Sequence, residues 1–297
     1  MEYRIIFSME KTWIFFFSIY CIFKAVKKGF SIICKMIYSK KNPLISIITP
    51  TLNNRKQLIR LILNLRKQSF KNYEHIIADG GSTDGTVEYL ANKKLVNKVI
   101  VLKDLNMYKG INNALKECNG SILSYINSDD LIVDFSYFEK IAFNFKKHKF
   151  DCIYGGHEFV NLEDKTLKKF KPLKFKKRYL VTLGLPFCQH SFFWNKKFSK
   201  IKFNKKYRVC ADFEFIGKVL LSSDKIMFLN SKVAKFNRSI NSFGEKNHRL
   251  GIKETKIIKN QFKKKIRQFS KVYYLFDRIH NYINNYIKYD DKIYKIK

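Results

Sequence analysis

The sequence contains little proline and glycine, few cysteines and few acidic residues. Its 297 residues include 4 Pro, 12 Gly and 6 Cys, and 24 Asp and Glu stand against 59 Lys and Arg. Because 46% of the residues are hydrophobic and 16% are aromatic, the chain can bury a core, which excludes a disordered or collagen-like chain. The cysteines form no Cys-x-x-Cys pair. Neither a zinc site nor a disulfide framework is therefore indicated, and a reducing, cytosolic compartment fits best.

The N-terminal region lacks an apolar run long enough to cross a membrane. The stretch Trp13–Phe23 is intensely apolar, but a membrane-spanning helix needs roughly 20 such residues. A secretory signal is the main alternative, although Glu2 and Glu10 dilute the basic start and no small-residue cleavage site follows. We interpret residues 3–38 as an interfacial amphipathic helix within a membrane-associating segment, residues 1–42. A helix packed on the protein remains the alternative.

The excess of positive charge is unevenly distributed. The net charge is +35, which predicts an anionic partner such as a membrane surface or nucleic acid. Residues 44–132 contribute +4, residues 133–252 contribute +16 and residues 253–297 contribute +9. A lysine-rich bias from A/T-rich coding explains a general excess but not this segregation.

Residues 43–126 alternate between short apolar runs and stretches with helical spacing. Leu44–Thr49 is an apolar run between Pro43 and Pro50, which is typical of a buried strand. Further strands are predicted at Tyr73–Ala78, Val99–Leu102 and Ser121–Ile126, and helices at Lys56–Gln68, Thr86–Asn92 and Ile111–Glu117. This order predicts an α/β fold, with a mostly parallel sheet and helices on both faces.

Polar loops follow three of the predicted strands, at residues 49–53, 79–85 and 127–130. Ligands of such sheets bind outside the carboxyl ends of the strands. Taken alone, Asp79–Gly85 is also typical of a tight turn that caps a helix. Asp129 and Asp130 are adjacent carboxylates that repel each other unless a cation lies between them, and oxygen ligands suit Mg²⁺ or Mn²⁺.

These loops resemble the motifs of the family 2 glycosyltransferases, which have the GT-A fold. The three nucleotide-sugar motifs correspond to Ile48–Asn53, Ala78–Thr86 and Ile126–Asp130. Asp104–Asn112 is similar to a segment of polysaccharide-assembly members, and Ala211–Phe215 is similar to the segment that carries their catalytic base.

The resemblance covers residues 43–252 and implies a GT-A domain with a Rossmann-like sheet. Its nucleotide-sugar half would be residues 43–132 and its acceptor half residues 133–252. Independently of the resemblance, apolar residues spaced between lysines predict basic amphipathic helices over residues 253–297. Asn106 and Lys109 depart from the family pattern, and Ser239–Ser242 lacks the family's glycines.

The resemblance also implies the donor site. Asp129 would hold Mg²⁺ or Mn²⁺ at the donor diphosphate, and Asp130 would assist. The residues that would bind the nucleotide sugar are Thr49, Pro50, Thr51, Asn53, Asp79, Asp84, Ser128 and Asp129.

On the acceptor side, the resemblance implies that Asp212 is the catalytic base. A helix-starting acid stabilised by the helix dipole is the alternative for this residue. Glu214 would contact the acceptor or support the site, as would Gln189 and His190, which stand in the reverse of the family's order.

The resemblance implies an inverting transfer of a hexosyl or N-acetylhexosaminyl group in bacterial surface-polysaccharide or lipopolysaccharide assembly. The donor would be a nucleotide-diphosphate sugar, in the first place a UDP-sugar, and the acceptor a saccharide or a polyprenyl-diphosphate saccharide. The charge predicts that the protein lies peripherally on the cytoplasmic face of an anionic membrane. Two alternatives remain: a nucleic-acid-binding protein using the run Lys168–Arg178, and an inactive glycosyltransferase-like protein.

Overall fold

The computed structural model describes residues 34–37, 42–102, 106–160, 166–237, 243–266, 271–284 and 293–296. The strands are β1 (Cys34–Ile37), β2 (Ile45–Thr51), β3 (Tyr73–Asp79), β4 (Lys98–Val101), β5 (Ile122–Tyr125), β6 (Leu131–Ile132), β7 (Cys152–Val160), β8 (Thr166–Phe170), β9 (Phe193–Asn195), β10 (Ile226–Asn237) and β11 (Ile293–Ile296). The helices are α1 (Arg55–Arg66), α2 (Thr86–Lys93), α3 (Met107–Lys116), α4 (Tyr137–His148), α5 (Ala211–Leu221), α6 (Phe243–Lys246), α7 (His248–Lys265) and α8 (Lys271–Asn284).

The strands form one mixed sheet in the order β1-β4-β3-β2-β5-β9-β7-β10-β11, with β6 on β10 and β8 on β7. Strands β4, β3, β2 and β5 are mutually parallel, as the alternating pattern predicts. Strand β9 is antiparallel to β5 and β7 and joins the two halves of the sheet. Thr51 pairs with Asp79, so the carboxyl ends of β2 and β3 lie side by side.

Apolar side chains fill both faces of the sheet. In α1, Leu58, Leu61, Ile62 and Leu65 are buried at the spacing of one helix face. The largest cluster lies on the side of α3, α5 and α7 and contains many aromatic rings, including those of Tyr108, Trp194, Phe215 and Phe262. These layers hold the ends of the central strands in fixed positions, which is what a binding site there requires.

Both ends of the described chain differ from the sequence-based expectation. A helix was expected through residue 38, but Cys34–Ile37 pairs antiparallel with β4. Helices were expected to residue 297, but Ile293–Ile296 pairs antiparallel with β10. In each case a strand at the edge of the sheet offers unpaired N–H and C=O groups, and pairing satisfies them. The stretch Trp13–Phe23 lies outside the described residues.

Helix α7 begins at His248 and so crosses the predicted domain limit at residue 252. The domain limits stay a prediction. Within the described part of the chain, none of the helices combines the length and the apolar character needed to span a bilayer.

The contact between α5 and α7 predicts the effect of one substitution on stability. A Cβ atom at Gly217 would overlap the ring of Phe262, so Gly217→Ala should lower the free energy of unfolding by about 1–3 kcal/mol. Urea denaturation measures this change. Gly244→Ala is the matched control, because a Cβ there meets no heavy atom within 4 Å. An equal loss in both variants would contradict this account of the helix contact.

Candidate functional site

The three polar loops meet at the carboxyl ends of β2, β3 and β5. The Asn53 N–H donates to Ser82 Oγ at 2.9 Å, and Asn53 Oδ1 accepts from the Thr83 N–H at 2.8 Å. Asn54 Nδ2 donates to Ser128 Oγ at 3.0 Å. The loop after β2 is therefore hydrogen bonded to both of the other loops, and the backbone of Asn53 takes a positive φ of 49° to do so.

The carboxylates of Asp79 and Asp84 order the loop between β3 and α2. Asp79 is buried and accepts from the N–H groups of Gly81 and Ser82 at 2.8 and 2.7 Å, and from Ser82 Oγ at 2.7 Å. Burial raises the pKa of Asp84, but hydrogen bonds from Thr86 and the Arg55 N–H outweigh it and lower this pKa. Both residues thus shape the loop, and their direct contact with the nucleotide stays a prediction.

The three residues of β2 that are expected to bind the nucleotide sugar, at positions 49–51, have different surroundings. Thr49 is fully buried, and its Oγ1 lies 2.8 Å from His75 Nε2. Pro50 is buried opposite Ala78 in β3. Among the described residues, Thr51 Oγ1 is buried without a hydrogen-bond partner. Of these three, Thr51 therefore has the polar atom with spare hydrogen-bonding capacity at the end of the strand.

The buried side chain of His75 should make the stability of the protein depend on pH. Burial and the positive charge of Arg66 lower the pKa of His75 to about 3, whereas an unfolded histidine titrates near 6.5. Between these two pKa values the unfolded chain binds a proton that the folded chain does not. The titration of His75 should therefore lower the free energy of unfolding by about 1.4 kcal/mol for each pH unit as the pH falls from about 6.5 towards 3.

The measurement is the free energy of unfolding against pH for the wild-type protein and for His75→Gln. The variant should lose less stability between about pH 6.5 and 4.5. His248→Gln, in which an exposed histidine is replaced, should keep the wild-type slope. Parallel curves for the wild type and His75→Gln would refute the assignment.

Asp130 and His190 form a buried pair behind the third motif. Their side chains are 1% and 0% exposed, and Asp130 Oδ2 lies 3.2 Å from His190 Nδ1. The other ring nitrogen, Nε2, lies 3.1 Å from Cys188 Sγ. Burial alone would lower the pKa of His190, but Asp130 and Cys188 raise it. His190 therefore holds Asp130 in place, and it reaches this position because Gln189–Ser191 forms a 3₁₀ turn.

Asp129 and the neighbouring Asn127 fit a divalent cation. Asp129 is half-buried, and burial together with Asp130 raises its pKa to about 7. Asn127 Oδ1 is buried and has no hydrogen-bond partner in the described structure. No group of three or more His, Cys, Asp or Glu residues is arranged to hold a metal in the described regions. Mg²⁺ is commonly held by one or two carboxylates plus substrate phosphates, so this small donor set suits a cation that binds with a diphosphate.

Asp212 lies in the first turn of α5. Its Oδ1 accepts from the Phe213 N–H at 2.8 Å and lies 3.4 Å from the Tyr108 hydroxyl. Burial raises the pKa of Asp212, although the hydroxyls of Tyr125 and Tyr108 act on the carboxylate in the opposite direction. Tyr125 ends β5, the strand that leads into Asp129. Asp212 is therefore joined to the acidic loop through one tyrosine.

Three residues that contribute to this arrangement were not singled out from the sequence. Tyr125 and Tyr108 contact Asp212, and the Tyr108 hydroxyl also donates to the Val209 carbonyl at 2.6 Å. The sequence did contain a signal for both tyrosines, because Tyr108 lies within the family-like segment Asp104–Asn112 and Tyr125 lies at the end of a predicted strand. Glu254 has no local signal, because it stands among lysines on α7.

Glu254 holds the loop that leads into Asp212. Its buried carboxylate accepts from the N–H groups of Arg208, Val209 and Cys210 at 2.8, 2.9 and 2.9 Å. Three hydrogen bonds to one carboxylate fix the backbone of this loop. Helix α7 is therefore part of the structure that positions Asp212.

The remaining predicted residues lie at the margin of this site. Glu214 is buried, and its Oε1 lies 2.8 Å from Lys218 Nζ one helical turn further on. Gln189 is half-buried at the start of the 3₁₀ turn. Asp104 and Ser239–Ser242 lie outside the described residues. Contacts of Glu214 and Gln189 with an acceptor stay predictions.

Solved structures share this fold. S. aureus TarS 1-349 in complex with UDP-GlcNAc superposes with a TM-score of 0.56 and 22% identity, covering 67% of this chain and 59% of that one. The mannosyltransferase PcManGT from Pyrobaculum calidifontis in complex with GDP-Man and Mn²⁺ has a TM-score of 0.53 and 14% identity, with coverages of 88% and 75%. The sheet and its helices are therefore those of the GT-A fold.

Sequence comparison agrees with this fold. An uncharacterized glycosyltransferase of Haemophilus influenzae is 30% identical over 209 residues, which are 62% of this chain and 83% of the relative. The model of the family Glycosyl transferase family 2 matches residues 46–202, the stretch that supplies all three polar loops and the Asp130–His190 pair. On this match, the chain belongs to glycosyl transferase family 2.

Proposed function

We propose that the protein transfers a sugar from a UDP-sugar to a hydroxyl group of a saccharide or a polyprenyl-diphosphate saccharide, with inversion at the anomeric carbon. The product would enter a bacterial surface polysaccharide. The observation that carries this proposal is the link from Asp212 through Tyr125 to the loop of Asp129. This link supports a role for Asp212 as proton acceptor next to a site that would bind a diphosphate together with a metal ion.

The donor would bind at the three joined loops. TarS holds UDP-GlcNAc and PcManGT holds GDP-Man with Mn²⁺, which supports a nucleotide-diphosphate sugar for this chain. Asp129 and the Asn127 oxygen would hold Mg²⁺ or Mn²⁺, with Asp130 behind them. When bound, the cation neutralises the charge that develops on the leaving diphosphate.

Asp212 would take the proton of the acceptor hydroxyl as that oxygen bonds to the anomeric carbon and the bond to the diphosphate breaks. A base works best when its pKa lies near the working pH, and burial raises the pKa of Asp212 in that direction. Tyr108 and Tyr125 orient the carboxylate, and Glu254 fixes the loop before it. A single displacement of this kind inverts the anomeric carbon and forms no covalent intermediate.

An assay of UDP release with a panel of UDP-sugars and saccharide acceptors tests the proposal. We expect UDP to be released from one of the UDP-sugars only. This release should require Mg²⁺ or Mn²⁺ and should stop when EDTA is added. Binding of nucleic acid without any release would favour the nucleic-acid alternative. Tight binding of a UDP-sugar without release of UDP, whichever acceptor is present, would favour the inactive glycosyltransferase-like alternative.

We further propose that the protein lies on the cytoplasmic face of a membrane, in contact with anionic lipid. On α8, Leu275, Phe276, Ile279 and Tyr282 are 63%, 63%, 47% and 65% exposed. The opposite side is anchored, because buried Asp277 pairs with Arg178 at 2.8 Å. An exposed apolar helix face that follows the lysine-rich helix α7 in the chain supports insertion into an anionic lipid surface.

Replacing Leu275 and Phe276 together by serine should weaken binding to anionic vesicles about ten-fold or more, since each buried apolar side chain contributes on the order of 1.5 kcal/mol. Vesicle sedimentation measures this, with neutral vesicles and raised salt as references. Phe143→Ser is the control, because Phe143 is 60% exposed on a different helix, α4. Equal binding of all variants to both vesicle types would refute the proposal.

A further inference from the structure

An open cavity of about 560 Å³ lies beside α6 and α7, away from the three donor loops. Its lining includes Lys256, Lys259 and Lys263, together with His248 and Val209. None of the described residues that line it is acidic. We call this cavity the lysine cleft. Its volume is within the range of small-ligand sites.

The lysine cleft is a consequence of how α7 packs. Glu254, Ile258 and Phe262 are the buried residues of α7, and their spacing places them on one face of the helix against the domain. Lys256, Lys259 and Lys263 follow the same spacing on another face. Because the buried face is anchored, the three lysines are held towards one cavity instead of being spread over the surface.

The electrostatics of the lysine cleft favour an anionic occupant. Lys259 is half-buried, its Nζ donates to the Thr182 carbonyl at 3.0 Å, and burial lowers its pKa. Like charges on one helix face repel each other. An anion between them removes this cost and favours the charged form of the half-buried lysine, and lysine is a common ligand of phosphate.

The lysine cleft adjoins the loop that leads into Asp212. Val209 lines the cavity, and its carbonyl accepts from the Tyr108 hydroxyl, which also contacts Asp212. Cys210 Sγ lies 3.4 Å from Thr255 Oγ1, and Thr255 is another lining residue. A ligand in the cleft is therefore on the side of the base, where the acceptor must approach.

We propose that the lysine cleft binds a phosphate group of the acceptor substrate, either a phosphodiester within a soluble chain or the phosphate of a lipid carrier. The inference rests on the proposed function, since it assigns a chemical class to the acceptor. The lysines of the cleft bind and orient this phosphate. They lie on α7, beyond the stretch matched by the family, residues 46–202.

The test measures the affinity of the full chain for inorganic pyrophosphate by calorimetry, with saturating UDP and Mg²⁺ present to fill the donor site. The double variant Lys256→Gln/Lys259→Gln should bind pyrophosphate about ten-fold or more weakly, because it removes two charges from the cleft. The control Lys253→Gln/Lys264→Gln removes the same charge from exposed positions of α7 outside the cleft and should bind like the wild type. A second arm repeats the comparison with vesicles of phosphatidylcholine containing a polyprenyl phosphate, which separates a lipid source from a soluble one.

Equal losses in the two double variants, or no loss in either, would overturn the proposal. The double variant also removes the hydrogen bond of Lys259, which could impair folding. The single variant Lys256→Gln keeps that bond, so it should weaken pyrophosphate binding while its thermal unfolding stays that of the wild type. UDP binding is followed separately. Absent UDP binding would count against the proposed function, whereas a selective loss of pyrophosphate binding in the cleft variants would still support the cleft.

Discussion

Replacing Asp212 by asparagine is expected to lower turnover by about two to four orders of magnitude while leaving donor affinity unchanged. The amide keeps the shape of the carboxylate and can still accept from the Phe213 N–H and the tyrosine hydroxyls. It cannot take a proton from the acceptor. Steady-state UDP release gives the turnover, and direct titration of UDP-sugar gives the donor affinity.

Glu139→Gln is the matched control for this variant. Glu139 is also an acid in the first turn of a helix, α4, so its replacement tests whether loss of a helix-dipole contact alone affects turnover. We expect wild-type rates from it. If Asp212→Asn bound UDP-sugar far more weakly than the wild type and turned over normally at saturation, Asp212 would be a donor contact and not the base.

Replacing Asp129 by alanine is expected to lower metal-dependent turnover by about two to three orders of magnitude, the loss typical of removing a group that stabilises developing charge. The fold should remain, because Asp129 is half-buried in a loop and its carboxylate is destabilised by burial and by Asp130. Removing it ends this repulsion, so the free energy of unfolding should stay equal or rise. Titration of Mg²⁺ and Mn²⁺ during UDP release, with urea denaturation alongside, gives both quantities.

Asp129→Asn separates the charge of this residue from its shape. It should also lose metal-dependent turnover, since an amide oxygen is a weaker ligand for a hard cation than a carboxylate. Turnover that survives EDTA in the wild type and persists in both variants would show that the reaction needs no cation at this position. A large fall in stability would assign Asp129 a role in the fold.

Residues close together in the chain determined the central strands and the loops between them. The apolar run Leu44–Thr49 predicted the first strand, although the strand, Ile45–Thr51, continues through Pro50 instead of ending before it. Gly85 takes a positive φ of 76° at the start of α2, as a glycine-containing turn before a helix predicts. The adjacent acids Asp129 and Asp130 indicated a cation for the same local reason. Such features depend on backbone preferences and on neighbours within a few residues, so they can be read without the fold.

Only the tertiary structure decided what these loops contact. His190 pairs with Asp130 from 60 positions away, and Glu254 holds the backbone of Arg208 across a separation of 46. The strand at Cys34–Ile37 forms because β4 presents an open edge, which the amphipathic pattern does not record. The three lysines of the cleft resemble any other lysines until packing of Ile258 and Phe262 turns them towards one cavity. Local sequence determines which conformations a segment prefers, whereas partners distant in sequence are chosen by the packing of the whole sheet and its helices.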